Sequence, residues 1–182
     1  MSVVHLLGNG PSRKYWTKRD GYKIGFNLNS EDADIVFCND PHTAKILMKR
    51  NFNDKKTIVS KSFSPNHPLI VEKIDVPLRR IDGTSYVVGP NSGHMAYQWA
   101  VKRGFREIHV WGHDVLWTKS LKSKTDETIN KDSWLTGINR YVDIAQYYID
   151  LWGAIISVDT YIHMPKDANL LVGSDHVYEV KY

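Results

Sequence analysis

A single cysteine in 182 residues, Cys38, excludes an internal disulfide and any zinc site built on several thiolates, and it suits a reducing compartment. No apolar run approaches the roughly 18 residues that a membrane-spanning helix requires. The opening "MSVVHLLGNG" lacks the basic segment and small-residue cleavage site of a secretory leader, so a cytoplasmic location is expected. Internal repeats, low-complexity tracts and linker-like stretches are absent as well, and residues 1–182 are expected to form one domain. Three catalytic signatures are incomplete. A dinucleotide fingerprint would need a third glycine where Tyr15 stands, and a Walker loop would need its Lys-Ser/Thr end. Ser92 in "PNSGH" echoes a nucleophile elbow, but Pro90 occupies the required glycine position, which disfavours a Ser-His-Asp hydrolase. His67, His94, His163 and His176 have no metal-ligand spacing and are read as structural or exposed.

What is present is an ordinary globular composition, 42% hydrophobic and 24% charged, with a formal charge of +4. Such a balance suits anionic small molecules and permits contact with nucleic acid. The excess lies in "RKYWTKR" (13–19), "KRNFNDKK" (49–56) and "KSLKSK" (119–124), each of which also reads as a solvated surface cluster. Six tryptophans and ten tyrosines supply a core, with some available to stack on a base or a sugar.

Strand and helix patterns alternate along the chain. Strands are expected at 3–7, 23–26 ("KIGF"), 34–39 ("DIVFCN") and 56–60 ("KTIVS"), with a helix from His42 to Asn51 after Pro41. Residues 61–82, holding Pro65, Pro68 and Pro77, read as irregular. "SYVVG" (85–89), "PNSG" (90–93), "HMAYQWAVKRG" (94–104) and "EIHVWG" (107–112) read as strand, turn, helix closed by Gly104, and parallel returning strand. Apolar residues from Trp134 to Trp152 at three- and four-residue spacing predict a helix over 132–152, followed by a strand at 154–159. The expected fold is therefore α/β: a single doubly wound, Rossmann-like, mostly parallel sheet with helices on both faces. Ligands in such sheets bind at the carboxyl ends of the strands. That rule puts Gly8–Ser12, Asn27–Asn29, Asn39–Asp40, Gly89–Gly93 and Gly112–Asp114 on one rim.

Within that rim, Gly8, Asn9, Gly10 and Ser12 form a tight turn whose backbone amides suit a phosphate, with Pro11 placed to open a helix. Ser92 and Gly93 offer a second glycine turn at a helix start, and equally an ordinary serine cap. Asn27, Asn29 and Asn39, with Asp40, follow apolar strand residues. There an amide reads ribose hydroxyls or a base edge, or simply builds a turn. His113 and Asp114 in "WGHD" form a candidate base and orienting carboxylate, or a satisfied turn pair.

Together "LLGNGPS" (6–12), "FNLN" (26–29), "FCNDP" (37–41) and "NSGHMAYQWAVKRGFREIHVWGHD" (91–114) resemble the bacterial sialyltransferase-like glycosyltransferases. They also resemble related uncharacterised and motility-associated proteins with the same nucleotide-binding domain. The resemblance spans about a third of the chain. It implies a parallel α/β domain binding a nucleotide-activated sugar, CMP- or UDP-linked, with no required cofactor. Asn9 and Gly10 would meet the donor phosphate, Asn27 and Asn39 the nucleotide, and Ser92 and Gly93 the donor sugar or phosphate. Ile138 stands where that family carries its catalytic histidine. Val115 and Leu116 replace the tyrosines that assist the leaving phosphate, and the acceptor-binding lid is short. His113 or Asp114 is then the remaining base, and Lys119, Lys122, Lys124 or Arg140 the remaining cations for the leaving phosphate. The acceptor is a saccharide or a hydroxylated base in DNA. Two alternatives stay open: a phosphotransferase or pyrophosphokinase using a divalent ion on Asp40 and Asp114, and a catalytically silent nucleotide- or nucleic-acid-binding module.

Overall fold

The computed structural model describes residues 3–27, 31–49, 55–61, 63, 66–75, 79–80, 87–88, 92–117, 157–170 and 173–182. Eight strands form one sheet: β1 (Val3–Leu7), β2 (Tyr22–Phe26), β3 (Ile35–Cys38), β4 (Thr57–Ser60), β5 (Ile70–Ile74), β8 (Glu107–Trp111), β9 (Asp159–Met164) and β10 (Val177–Lys181). Their order is β10-β9-β8-β1-β2-β3-β4-β5, and every neighbouring pair is parallel. The chain winds outward from β1 to β5 on one side, then returns to β8 on the other side of β1. The direction of winding thus reverses between β1 and β8, which is where a doubly wound sheet opens its crevice.

Strand parity sorts the core. Val4 and Leu6 of β1, Ile35 and Phe37 of β3, Ile108 and Val110 of β8 and Ile162 of β9 pack with Met95, Ala96, Tyr97 and Ala100 of helix α2 (Ser92–Lys102). Val36 and Cys38 of β3 and Val59 of β4 turn the other way, against Ala44, Leu47 and Met48 of helix α1 (Pro41–Lys49). Helices therefore cover both faces, as the α/β alternation predicts. Buried Tyr97 adds a hydroxyl contact to Thr160 at 2.6 Å, tying α2 to β9.

Gly104 stops α2 as expected. With φ of +87° its amide donates to Val101 O at 3.0 Å and the Phe105 amide to Ala100 O at 3.2 Å, a Schellman pattern. A methyl group there meets nothing within 4 Å, so Gly104→Ala is expected to cost about 1 kcal/mol of backbone strain alone, read by urea denaturation.

Three expectations need correction. Val87–Val88 (β7) pairs antiparallel with Arg79–Arg80 (β6) in a separate two-stranded ribbon and is not a strand of the parallel sheet. The chain has to return from the outer strand β5 to the centre before α2 can feed β8, and this ribbon lies in that return. The sheet's outer member is β5, drawn from the stretch read as irregular. Of the strand expected at 154–159, residues 154–156 lie outside the described residues, Ser157 and Val158 precede a strand that begins at Asp159, and β10 is not among the expected strands. Described α1 runs Pro41–Lys49, and residues 50 and 51 of the expected helix lie outside the described residues. The helix expected at 132–152 lies outside the described residues, as do Asn29, Lys119, Lys122, Lys124 and Arg140.

Candidate functional site

The turns after β1 and β8 lock into each other through glycines. Gly8 N–H donates to Trp111 O at 2.7 Å and Gly10 N–H to Gly112 O at 2.8 Å. A Cβ on Gly8 would lie 2.5 Å from Gly112 O, and one on Gly112 would lie 2.6 Å from Gly8 O. Gly112 also holds φ of +63°, where a side chain is disfavoured. The backbones meet this closely because neither residue carries a side chain.

Pro11–Tyr15 forms a short 3₁₀ turn, and Asp114 reaches its amino end: the Ser12 N–H donates to both carboxylate oxygens, at 3.2 and 3.1 Å. Gly10 must be glycine for that carboxylate to fit, since a Cβ would overlap Asp114 Oδ2. The Arg13 N–H bonds Gly10 O at 3.0 Å, and its guanidinium donates to Leu7 O and Gly8 O at 3.0 and 3.1 Å. The amides of Gly8, Gly10, Ser12 and Arg13 thus all donate to partners within the protein. Asp114 is the anion at this helix start, which is where the sequence reading puts a phosphate. The turn presents the Asn9 side chain, whose Nδ2 donates to Phe26 O at 2.6 Å and so ties β1 to the end of β2.

The neighbouring strand ends complete the rim. Asn27 follows β2 in a left-handed conformation, φ +58°, and its N–H bonds Phe37 O at 3.1 Å. Asparagine tolerates this region better than most residues, which explains the residue type without a ligand. After β3, the Asn39 N–H donates to Ser92 Oγ at 3.2 Å, joining that strand end to the start of α2. Asp40 accepts the Thr43 hydroxyl at 2.9 Å, and its backbone carbonyl accepts the Ala44 N–H at 2.9 Å, so it is tied to the first turn of α1. Ser92, Gly93 and His94 are buried at the first turn of α2, where helical N–H groups lack intrahelical acceptors.

His113 is buried, its ring edge-on to Phe26 at 5.4 Å. Burial, with the Arg13 charge acting the same way, lowers its pKa to about 3, so the imidazole is neutral. Burial raises the Asp114 pKa above the ordinary carboxylate value, while contacts to Ser12 and the Lys14 charge pull it back. Burial thus works against the charged form of both groups. The backbone partner of Asp114 lies 102 residues away in sequence, a contact outside the roles that the sequence offers for it: base, orienting carboxylate for His113, hydroxyl binder or metal ligand. Arg13 was read only as part of a basic cluster.

Among the described residues, no group of three or more His, Cys, Asp or Glu side chains is placed to hold a metal ion. No described helix is long and apolar enough to cross a membrane.

No protein-family model matches this chain, and no curated protein matches it. Among solved structures the chain is similar to the sialyltransferase CST-II, crystallised with a trisaccharide acceptor and CMP, with 13% sequence identity and a TM-score of 0.49 over 88% of this chain and 80% of that one.

Proposed function

We propose that the chain is a glycosyltransferase that takes its sugar from a nucleotide-linked donor bound along the β1–β8 rim. The observation that carries this reading is the convergence of Asn9, Asn27, Asn39 and Ser92 on the carboxyl edge at the reversal of winding, stitched together by the Asn9–Phe26 and Asn39–Ser92 hydrogen bonds. Neutral amides and a hydroxyl suit ribose and a base edge. The start of α2, at Ser92 and Gly93, suits the donor phosphate. Gly8, Gly10 and Ser12 then shape the rim, and Asn9 and Asp40 face the nucleotide from either side.

In the transfer, an acceptor O–H attacks the anomeric carbon. The new C–O bond forms as the bond to the nucleotide phosphate breaks, and the phosphate leaves with the electron pair. The proton goes to Asp114, whose raised pKa suits a general base, with the neutral His113 beside it. Lys119, Lys122, Lys124 and Arg140 are the cations proposed to meet the leaving phosphate. The acceptor is a saccharide or a hydroxylated base in DNA.

The test is a thermal-shift screen against CMP, UDP, GDP and ADP, their sugar conjugates, and ATP and GTP, with and without magnesium. A magnesium-independent rise with a pyrimidine nucleotide supports the reading and names the donor to use in transfer assays. A rise only with magnesium and a purine triphosphate overturns it in favour of phosphotransfer. The engagement of Asp114 by Ser12 favours a second reading, a nucleotide-binding module without turnover. Asp114→Asn separates the two. Loss of transfer with nucleotide binding retained fits the enzyme, and absence of transfer in the unmutated chain fits the module.

A further inference from the structure

On the sheet face away from α2, side chains outside the rim form a continuous hydrogen-bonded chain. Arg19 Nη2 donates to Tyr182 Oη at 3.3 Å, and Tyr182 Oη lies 2.9 Å from His163 Nδ1. His163 Nε2 is 2.8 Å from His109 Nδ1, and His109 Nε2 is 2.8 Å from Glu107 Oε1. Donors and acceptors fit in one polarity. The Tyr182 hydroxyl donates to His163, His163 Nε2–H donates to His109, and His109 Nε2–H donates to the carboxylate. Both imidazoles are then neutral.

We propose that this chain is a proton-sensitive clasp that holds β10 to the sheet and releases it when the histidine pair is protonated. Strand β10 needs such a device. Among the described strands it lies at the edge, paired with β9, and none of its five side chains is buried. Tyr182, immediately after it, provides the anchor. Its ring stacks on Tyr15 at 5.3 Å, and its hydroxyl joins the chain. A first proton enters on His163 Nδ1, or on His109 Nδ1 with the contact between the two rings reversed. The His163 Nδ1–H then points at a Tyr182 oxygen that already accepts from Arg19. A second proton sets N–H against N–H across 2.8 Å and breaks the contact.

The surroundings oppose protonation in the closed form. His5 of β1 lies against His109 with ring centroids 4.9 Å apart, and the Arg19 guanidinium sits 5.1 Å over Trp111, which stacks on His163 at 3.4 Å. Glu107 and the phenol of Tyr161 face the pair from β8 and β9, and the Glu107 carboxylate favours a cation there. Burial together with His109, Arg19 and His5 lowers the His163 pKa to about 3. A locally opened β10 returns His163 to water and its ordinary basicity, so acid favours opening. The inference stands independently of the proposed activity.

The test is amide hydrogen exchange on the intact chain at about pH 7.5 and about pH 5.5, read as protection factors. Protection at 177–182 is expected to fall about tenfold or more beyond any fall in β1–β4. His109→Gln and His163→Gln keep a donor and an acceptor without titrating; His163→Gln is expected to abolish that difference, and His109→Gln, which leaves His163 in place, to reduce it. Equal responses of β10 and the central strands overturn the clasp, as does a differential response that survives in His163→Gln. If neither variant folds, ¹⁵N spectra of the unmutated histidines decide. Nε2–H tautomers on both rings near neutral pH are expected, and an Nδ1–H on His109 overturns the proposal.

Discussion

Gly112→Ala is expected to destabilise the protein by about 4 kcal/mol, and Gly8→Ala by about 3 kcal/mol, measured by urea denaturation. Two independent costs add at position 112. Its φ of +63° is strained for any residue with a Cβ, and the new carbon would lie 2.6 Å from Gly8 O and 2.9 Å from Gly8 C. Neither backbone atom can swing away as a flexible side chain would, because Gly8 is held by its bond to Trp111 O and continues directly from β1. Relief requires the β1 and β8 turns to separate, which breaks the Gly10–Gly112 hydrogen bond and moves Asp114 off Ser12. Gly104→Ala is the internal control. It shares the positive φ but meets open space, so the difference between the two variants isolates the backbone contact. At this chain length the Gly112 effect corresponds to a fall of about 10 °C in melting temperature. If Gly112→Ala costs no more than Gly104→Ala, the interlocked turns are not what holds the rim together.

This interlock also explains what was legible in the sequence and what was not. Glycines at 8, 10 and 112 announce a close approach, but a sequence does not say of what to what. Here it is one turn against another, and the helix-start anion is Asp114 from the same chain. The central strands β1, β3, β4 and β8 are buried on both faces, so their short apolar runs stand out and their positions were readable within a residue or two. Edge strands β5 and β10 carry charge and exposure and lack that contrast. Val87–Val88 had the right composition for a sheet strand, but topology gives the place beside β1 to β8. The rim followed from strand order and one general rule about α/β sheets. The pairings that give its residues their chemistry, Ser12 with Asp114 and Asn39 with Ser92, join positions 102 and 53 residues apart. Local pattern holds no trace of such contacts. His5, His109 and His163 carry no signal singly; the register of β1 and β8 sets His5 beside His109, and that of β8 and β9 puts His163 on the diagonal, within reach of His109.

Acid is expected to unfold the protein through histidines held neutral, with loss of stability beginning near pH 6.5 and steepest from about pH 6 to pH 4. The pKa of His5 is lowered to about 4, and those of His113 and His163 to about 3, burial being the largest cause in each case. His5 fixes its own neutral form: Nε2–H donates to Asp20 O at 2.9 Å, while Nδ1 accepts from Trp111 Nε1 at 3.3 Å. A depressed folded-state pKa contributes stability that is present above the unfolded value of 6.5 and disappears as pH falls toward the folded value. In that window the unfolded chain binds protons that the folded chain refuses, approaching three per molecule. Each costs about 1.4 kcal/mol per pH unit. Asp114 works in the opposite sense. Its folded pKa is raised, so its contribution is present below the ordinary carboxylate value and is lost as pH rises through the folded one, which offsets part of the histidine effect at the acid end. Urea denaturation at half-unit steps of pH gives the proton uptake directly from the slope. His113→Asn is expected to remove about one proton from it, and Asp114→Asn to steepen the acid end. A stability that stays flat from about pH 7.5 to about pH 5 would mean that these imidazoles reach water in the folded state, and with that both the buried His113 beside the rim and the closed clasp beneath β10 would have to be abandoned.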